Sequence, residues 1–256
     1  MELGLNKAKV ITVTSCKGGT GKTTTVLNLA GIYASNNKKV LIIDMDFYSS
    51  AISVMLNLNP INDVYTFADD INNNRYNELS DYITKYNNMI DVIAGPKDIR
   101  MSSKISSSYV PMILSKVNLK YDVILIDTNH FMNDVNLTIL ENSDSILYVI
   151  TEDPVDLKNM RSMISIYKDM ERNNYSILLN ESIFKGRKTF TKNDVNKFLK
   201  RDVDFHISEK FNIKNIDKYI SNGTILTLDK NIKLTYKRNI SNFKYMADSL
   251  LLGKEE

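Results

Sequence analysis

The chain is short of the features that would assign it to several large classes. Its 256 residues contain one cysteine, Cys16. This excludes an intrachain disulfide and any multi-cysteine metal site within one chain. No apolar run approaches the roughly 20 residues that a membrane-spanning helix needs. The opening Met1–Lys7 has no export-signal pattern, so the protein is expected to stay in the cytoplasm. Neither sign of charge dominates: 33 Lys and Arg against 30 Asp and Glu leave a net charge of +3, too mild to name a nucleic-acid partner. The 14 tyrosines are scattered, and no linker long enough to split domains occurs. What remains is ordinary for a globular protein, 43% hydrophobic and 25% charged residues, in a length that suffices for one large α/β domain with a full core.

One stretch organises the rest. The apolar run Val10–Thr14 reads as a buried parallel strand. Ser15-Cys16-Lys17-Gly18-Gly19-Thr20-Gly21-Lys22-Thr23-Thr24 follows it, and Thr25–Ala34 then carries apolar residues at helical spacing. Strand, glycine-rich turn and helix is the context of a phosphate-binding loop. The glycines let successive backbone N–H groups turn inward around an anion, and the helix N-terminus adds unpaired N–H groups and the positive end of its dipole. The Lys22 ammonium would reach the β- and γ-phosphates, and the Thr23 hydroxyl would ligate Mg²⁺. The strict G-x-x-x-x-G-K-[ST] pattern has Cys16 at its first glycine, and a second lysine, Lys17, stands just ahead of the glycines.

Two further strand ends carry carboxylates. Lys39–Asp44 reads as the second strand and runs into Asp44-Met45-Asp46; Tyr121–Asp127 reads as another and ends in Asp127. In open parallel sheets, ligands bind beyond the carboxyl ends of strands. A single Asp there serves equally as a cap or a turn residue; two flanking one residue are harder to dismiss. Asp127 has the Walker B arrangement, a buried strand ending in a carboxylate that would hold a Mg²⁺-bound water. His130, three residues on, reads either as a phosphate sensor or as a plain loop histidine.

Elsewhere the pattern alternates. Residues 59–75 read as a polar connection with a short helix at Thr66–Ile71. Asp81–Thr84 and Met89–Ala94 read as strands, the serines at 102–103 and 106–108 as a mobile loop, and Val110–Leu119 as a helix. Ser145–Thr151 reads as a strand. Val155–Arg172 reads as a helix whose Met160, Met163, Ile164, Tyr167 and Met170 recur at helical spacing, a stripe better suited to core packing than to a partner groove. Ser176–Asn180 reads as the last central strand, and Ser241–Leu252 as a packing helix. From Lys185 to Lys218 basic residues outnumber acidic ones, as on a solvated helix face or a basic patch. The acidic ending 253–256 argues against a basic membrane-binding tail.

The segment Lys17–Thr24 resembles the deviant Walker A loop of the MinD/ParA family of P-loop ATPases. The resemblance runs from Val10 to about Leu228 and is tightest at the loop, at Asp44/Asp46 and at Asp127. It implies a doubly wound α/β fold, a mostly parallel sheet with helices on both faces, in a single domain over residues 1–256. It implies ATP and Mg²⁺ as cofactors. Gly18, Gly19, Thr20, Gly21, Lys22, Thr23 and Thr24 would cradle the nucleotide, and Asn180 would hydrogen-bond the adenine. Thr23, Asp44 and Asp127 would serve the metal, Asp46 would orient the attacking water, and Lys17 would contact phosphates in a second chain of an ATP-dependent homodimer. Phe47-Tyr48-Ser49-Ser50 stands where partition ATPases often carry Pro-Gln-Gly-Asn, Thr128-Asn129-His130 where the family usually has prolines or glycine, and Glu181 where an Arg commonly follows the Asn.

Within the family, the later half looks most like the CpaE/TadZ pilus-assembly ATPases, on the stretches 127–141, 151–154 and 219–223. The receiver-like domain that many of them carry is expected to be absent here. The expected role is an ATP-driven switch that positions a pilus or secretion machine with a protein partner, in the cytoplasm and at a cell pole if that branch is right. A DNA-partitioning ATPase is the alternative, with non-specific DNA held by the basic segment. A nucleotide-binding scaffold with scarce turnover is the non-enzyme alternative. A nitrogenase-type reductase would need paired cysteines, and a tyrosine autokinase would need a C-terminal tyrosine cluster, where only Tyr245 stands.

Overall fold

The computed structural model describes residues 7–183 and 190–253. In chain order the elements are β1 (Lys9–Thr14), α1 (Lys22–Ser35), β2 (Val40–Met45), α2 (Ile52–Met55), α3 (Val64–Asn72), β3 (Thr84–Lys85), β4 (Ile90–Ile93), α4 (Tyr109–Val117), β5 (Val123–Thr128) and α5 (Asp134–Glu141). They continue with β6 (Ser145–Ile150), α6 (Pro154–Asp169), β7 (Tyr175–Asn180), α7 (Lys192–Leu199), β8 (Phe205–Ile207), α8 (Ile216–Ser221), α9 (Lys230–Thr235) and α10 (Lys237–Leu252). The strands form one eight-stranded sheet in the order β3-β4-β2-β5-β1-β6-β7-β8, parallel except at the β3 edge. This is the doubly wound α/β architecture expected from the sequence.

The central strands are continuous apolar runs because both faces of the sheet are covered. Alternate residues separate into different cores. Ile11 and Val13 of β1, Val40 and Ile42 of β2, and Val123 and Leu125 of β5 face the layer built by α1 and α10. Their neighbours Val10, Leu41, Ile43, Ile124 and Ile126 face α3 and α4. On the other half of the sheet, Ile146, Tyr148, Ile177 and Leu179 pack against α6 and α7. The period of two therefore fixes where the strand-end residues point: Asp44 and Asp127 continue the α1-facing rows of β2 and β5.

The sequence reading misjudged several peripheral elements. Asp81–Thr84 is not a strand: a 3₁₀ turn occupies Leu79–Asp81, and only Thr84–Lys85 pairs, antiparallel, with β4. The serine-rich stretch is partly ordered, since Ile99–Lys104 is a 3₁₀ helix capped by Asp98, and buried Ser102 donates to the Phe47 carbonyl at 2.8 Å. β7 is the last central strand, as expected, but an edge strand that the sequence reading did not include, β8, pairs parallel to it. Three residues, preceded by Asp202 and Asp204 and followed by Ser208, give too short a run to stand out. Met160, Met163 and Tyr167 are buried on α6 as expected, whereas Met170 is exposed. Of the basic stretch, Lys185, Arg187 and Lys188 lie outside the described residues, as do residues 254–256 of the acidic ending. No helix among the described residues is long and apolar enough to cross a membrane.

Candidate functional site

The loop between β1 and α1 lies where the strand order reverses: the chain crosses from β1 to β2 on one side of the sheet and later adds β6 on the other. That is the switch point at which open α/β sheets hold ligands. Gly19 and Gly21 have φ of 77° and 95°, left-handed conformations that bend the loop back on itself. α1 starts at Lys22 without a side-chain cap and with no acidic residue in its first turn. Its first N–H groups are thus left without a side-chain acceptor, which suits an anion.

The opposite side of the loop faces the two strand ends. Asp44 and Asp127 are directly paired in the β2–β5 register and both are buried. The Thr23 hydroxyl donates to Asp127 Oδ2 at 2.6 Å, while Asp127 Oδ1 is buried without a hydrogen-bond partner. Burial, and then the charge of Asp44, push the Asp127 carboxyl up; the Thr23 hydrogen bond and the Lys22 charge pull the other way. Asp44 is fully held by the protein. Its Oδ1 accepts from the Asp46 amide, and its Oδ2 accepts from the Ser50 hydroxyl at 2.8 Å and from the Ile52 amide. Burial still raises it to about 6, against these three hydrogen bonds. Two buried carboxyls side by side, next to a buried lysine and a free lone pair, make a place where an added divalent cation would be strongly favoured. Asp46 is only half-buried, and its Oδ1 accepts from the Ser49 amide at 3.1 Å.

The structure does not bring all the predicted residues to one point. Asn180 lies on the far side of the loop: its Nδ2 donates to the Thr20 carbonyl at 2.9 Å and its Oδ1 accepts from Ser182. It clamps the loop to the end of β7. Lys17 turns away from Asp127 and pairs with Asp153 at 2.8 Å, holding that carboxyl below its usual range. Asp153 also caps α6, accepting from the Val155 and Asp156 amides. Thr24 sits in the first turn of α1, where its carbonyl accepts from Asn28. Between the loop, the Thr151–Pro154 turn and the end of β7 lies a cavity of about 360 Å³, lined also by Glu181, Ile183 and Phe190. Glu181 is buried there, with His206 Nε2 3.0 Å from its carboxylate.

Sequence reasoning missed Ser50, Asp153 and Asp156. Ser50 lies six residues past Asp44 with no motif to mark it. Asp153 was legible only as the residue before Pro154, a helix-start signal. Asp156 is wholly buried, accepts from the Thr151 amide and hydroxyl, and is raised to about 6 by that burial. His130 lies in the loop after β5, and its ring lies against Gly18 of the phosphate loop. Among the described residues, no group of three or more His, Cys, Asp or Glu side chains could hold a metal by itself. Any ion here would need ligands from water or from a bound phosphate.

Known proteins resemble this chain in sequence and in fold. The AAA_31 family, an AAA domain, matches residues 8–183. The antiactivator FleN of Pseudomonas aeruginosa is 25% identical over 194 residues, 73% of this chain and 68% of that protein. A ParA family ATPase from Chlorobium tepidum superposes with a TM-score of 0.77 at 18% identity, over 96% of this chain and 99% of its own. The septum site-determining protein MinD of Pyrococcus horikoshii, solved with Mg-ADP, superposes with a TM-score of 0.74 at 20% identity, over 94% and 95%. With the family match covering more than half of its length, the chain belongs to the AAA_31 family, and it shares its fold nearly end to end with a ParA family ATPase and with MinD.

Proposed function

We propose that the protein is a Mg²⁺-dependent ATPase that works as a dimerisation switch, formed as one catalytic domain over residues 1–256. The observation that carries this reading is the Thr23–Asp127 hydrogen bond beside Lys22, with the second Asp127 oxygen buried and unpaired. Thr23 would give its hydroxyl to the metal, and the free Asp127 oxygen would take a metal-bound water. The metal would supply neutralisation of the phosphate charge. Asp44 would place a second carboxylate near the metal, and its hydrogen bonds from Ser50 and from the Asp46 amide tie it to the segment that carries Asp46. Lys22 and the amides of residues 18–24 would bind the phosphates. The 360 Å³ cavity beyond Thr20 suits a purine base. Asn180 already spends its amide on Thr20, so it would act on the base chiefly by holding the loop.

Asp46 would orient the attacking water, as a positioned carboxylate or amide does in other phosphoryl-transfer enzymes. Lys17 would leave Asp153 and reach the phosphates of a second chain, where its charge offsets that of the transition state. Both partners of that ion pair are well exposed, so breaking it costs little.

The cellular role follows the switch. The pattern of the later half favours a pilus or secretion machine of the CpaE/TadZ kind, with a cytoplasmic, polar position and a protein partner. The structural likeness to a ParA family ATPase supports a partition role equally, with DNA as a second ligand. Turnover, nucleotide affinity and dimer fraction measured for Asp46→Ala and Asp127→Ala test the enzyme reading. Asp46→Ala is expected to lose roughly 10²-fold in turnover while still binding ATP. Asp127→Ala is expected to lose Mg²⁺ and nucleotide affinity together. Wild-type turnover in Asp46→Ala contradicts its role, and no turnover in the wild type with any partner favours the scaffold.

A further inference from the structure

Three segments converge at the mouth of the phosphate loop, and a row of rings crosses them. The His130 imidazole lies against Gly18: a Cβ built on that glycine would stand 3.4 Å from His130 Cε1 and 3.6 Å from Nδ1. The His130 and Phe131 rings are 4.3 Å apart. The Phe131 ring meets Tyr48 edge to face, with centroids 6.0 Å apart and planes at 88°. Tyr48 lies two residues after Asp46, and Phe131 four residues after Asp127. The rings thus span from the loop, through the segment after β5, to the segment after β2.

The backbones beneath the rings are held separately. On one side, Asn129 Oδ1 accepts from the Phe131 amide at 2.9 Å and from Asn136 Nδ2 at 2.7 Å, and Asn136 Nδ2 also donates to the Phe131 carbonyl. On the other, Phe47 is buried in the core and its carbonyl accepts from Ser102. Tyr48 and Phe131 remain about half exposed, at 50% and 49%. Rings placed to fill the core would be covered. These touch each other over the site and leave their outer faces in water, an arrangement better suited to changing partners than to stability.

We propose that His130, Phe131 and Tyr48 form a ring-to-ring bridge that reports the occupant of the phosphate loop to Asp46. The bridge rests on the nucleotide reading given above. An imidazole N–H over Gly18 can donate to a phosphate oxygen held there, a contact a terminal phosphate can offer when present. A shift of His130 moves Phe131, and the edge-to-face contact moves Tyr48 and the short segment that carries Asp46. The three residues are positioning residues for hydrolysis, not groups that take part in it.

The sequence has no tryptophan, so Tyr48→Trp supplies a single emission signal. The experiment follows that emission with Mg-ADP and with a Mg-bound, non-hydrolysable ATP analogue, alone and combined with Phe131→Ala or His130→Ala. Calorimetry gives affinities, and steady-state turnover is measured for Tyr48→Ala, Phe131→Ala and their double variant. The expected result is a response to the ATP analogue that differs from the response to ADP and is lost with Phe131→Ala or His130→Ala, at retained ADP affinity. Each alanine variant is expected to lower kcat roughly 2- to 10-fold, the scale of one aromatic pair, with KM for ATP unchanged. The double variant should fall no further than the worse single one, and Tyr48→Phe should restore the rate. An emission response untouched by Phe131→Ala, or additive losses in the double variant, overturns the bridge while the ATPase reading stands. Absence of any nucleotide binding by the wild type overturns that reading, and the bridge with it.

Discussion

Replacing Gly21 by alanine tests how the phosphate loop is built. Two separate costs meet at this position. Its φ of 95° lies in the left-handed region, which costs an alanine about 1–2 kcal/mol. A Cβ on Gly21 would also stand 2.5 Å from Asn180 Nδ2, far inside contact distance. The Asn180 amide would have to leave the Thr20 carbonyl, losing a hydrogen bond worth about 1 kcal/mol. Gly21→Ala should therefore destabilise the fold by about 2–3 kcal/mol. Gly19 supplies the control: its φ is 77°, yet nothing lies within 4 Å of a Cβ built there. Gly19→Ala should show the backbone cost alone, about 1–2 kcal/mol. Urea unfolding of the nucleotide-free protein, followed by far-ultraviolet circular dichroism, measures both. Adding Asn180→Ala to Gly21→Ala should cost less than the two changes summed, because the overlap is gone. If Gly21→Ala is no less stable than Gly19→Ala, the clamp between β7 and the loop is not what the geometry indicates.

Two other outcomes follow from buried groups, and one from the exposed Lys17–Asp153 pair. Partial burial pushes the Cys16 thiol up to about 12 from 9.0, so at neutral pH the folded protein should alkylate with iodoacetamide at least roughly 30-fold more slowly than after unfolding, the lost thiolate being partly offset by its greater nucleophilicity, as mass spectrometry of the single cysteine would show; equal rates would contradict that shift. Asp156 is raised from 3.8 to about 6, so its folded form holds a proton more tightly than the unfolded chain. Stability from this group is full below pH 4 and is lost as pH rises towards 6. Asp156→Asn should therefore gain on the wild type between pH 4 and 6 by an amount on the order of 2–3 kcal/mol, and a gap that does not change with pH would contradict it. Lys17→Ala should keep most nucleotide affinity but lose ATP-induced dimerisation in light scattering, and normal dimerisation of that variant removes the cross-chain role.

The parts legible in the sequence are those whose chemistry needs neighbouring residues. A phosphate loop is a run of consecutive backbone amides, so Lys17–Thr24 showed it, and the structure puts its left-handed turns at two of those glycines. Strands buried on both faces are unbroken apolar runs, so β1, β2, β5, β6 and β7 could be read with their terminal Asp44, Asp127 and Asn180. The period of two then sent both carboxylates to the α1 side. Contacts made across the fold were not legible. Ser50 on Asp44, Asp153 on Lys17, Asn180 on Thr20 and His130 on Gly18 depend on how four loops meet, and each pair is distant or unmarked in the chain. Short edge strands were missed for a related reason. Two residues at β3 and three at β8 carry too little pattern, and their neighbours in the sheet decide their conformation.

The most direct test of the account is calorimetric titration of the nucleotide-free protein with Mg-ATP, beside Lys22→Ala. Lys22 is buried at the head of α1, and its charge bears on Asp127. The account predicts saturable one-site binding by the wild type, weakened when Mg²⁺ is withheld, and none measurable in Lys22→Ala at the same concentrations. Equal ATP affinity in the two proteins would contradict it.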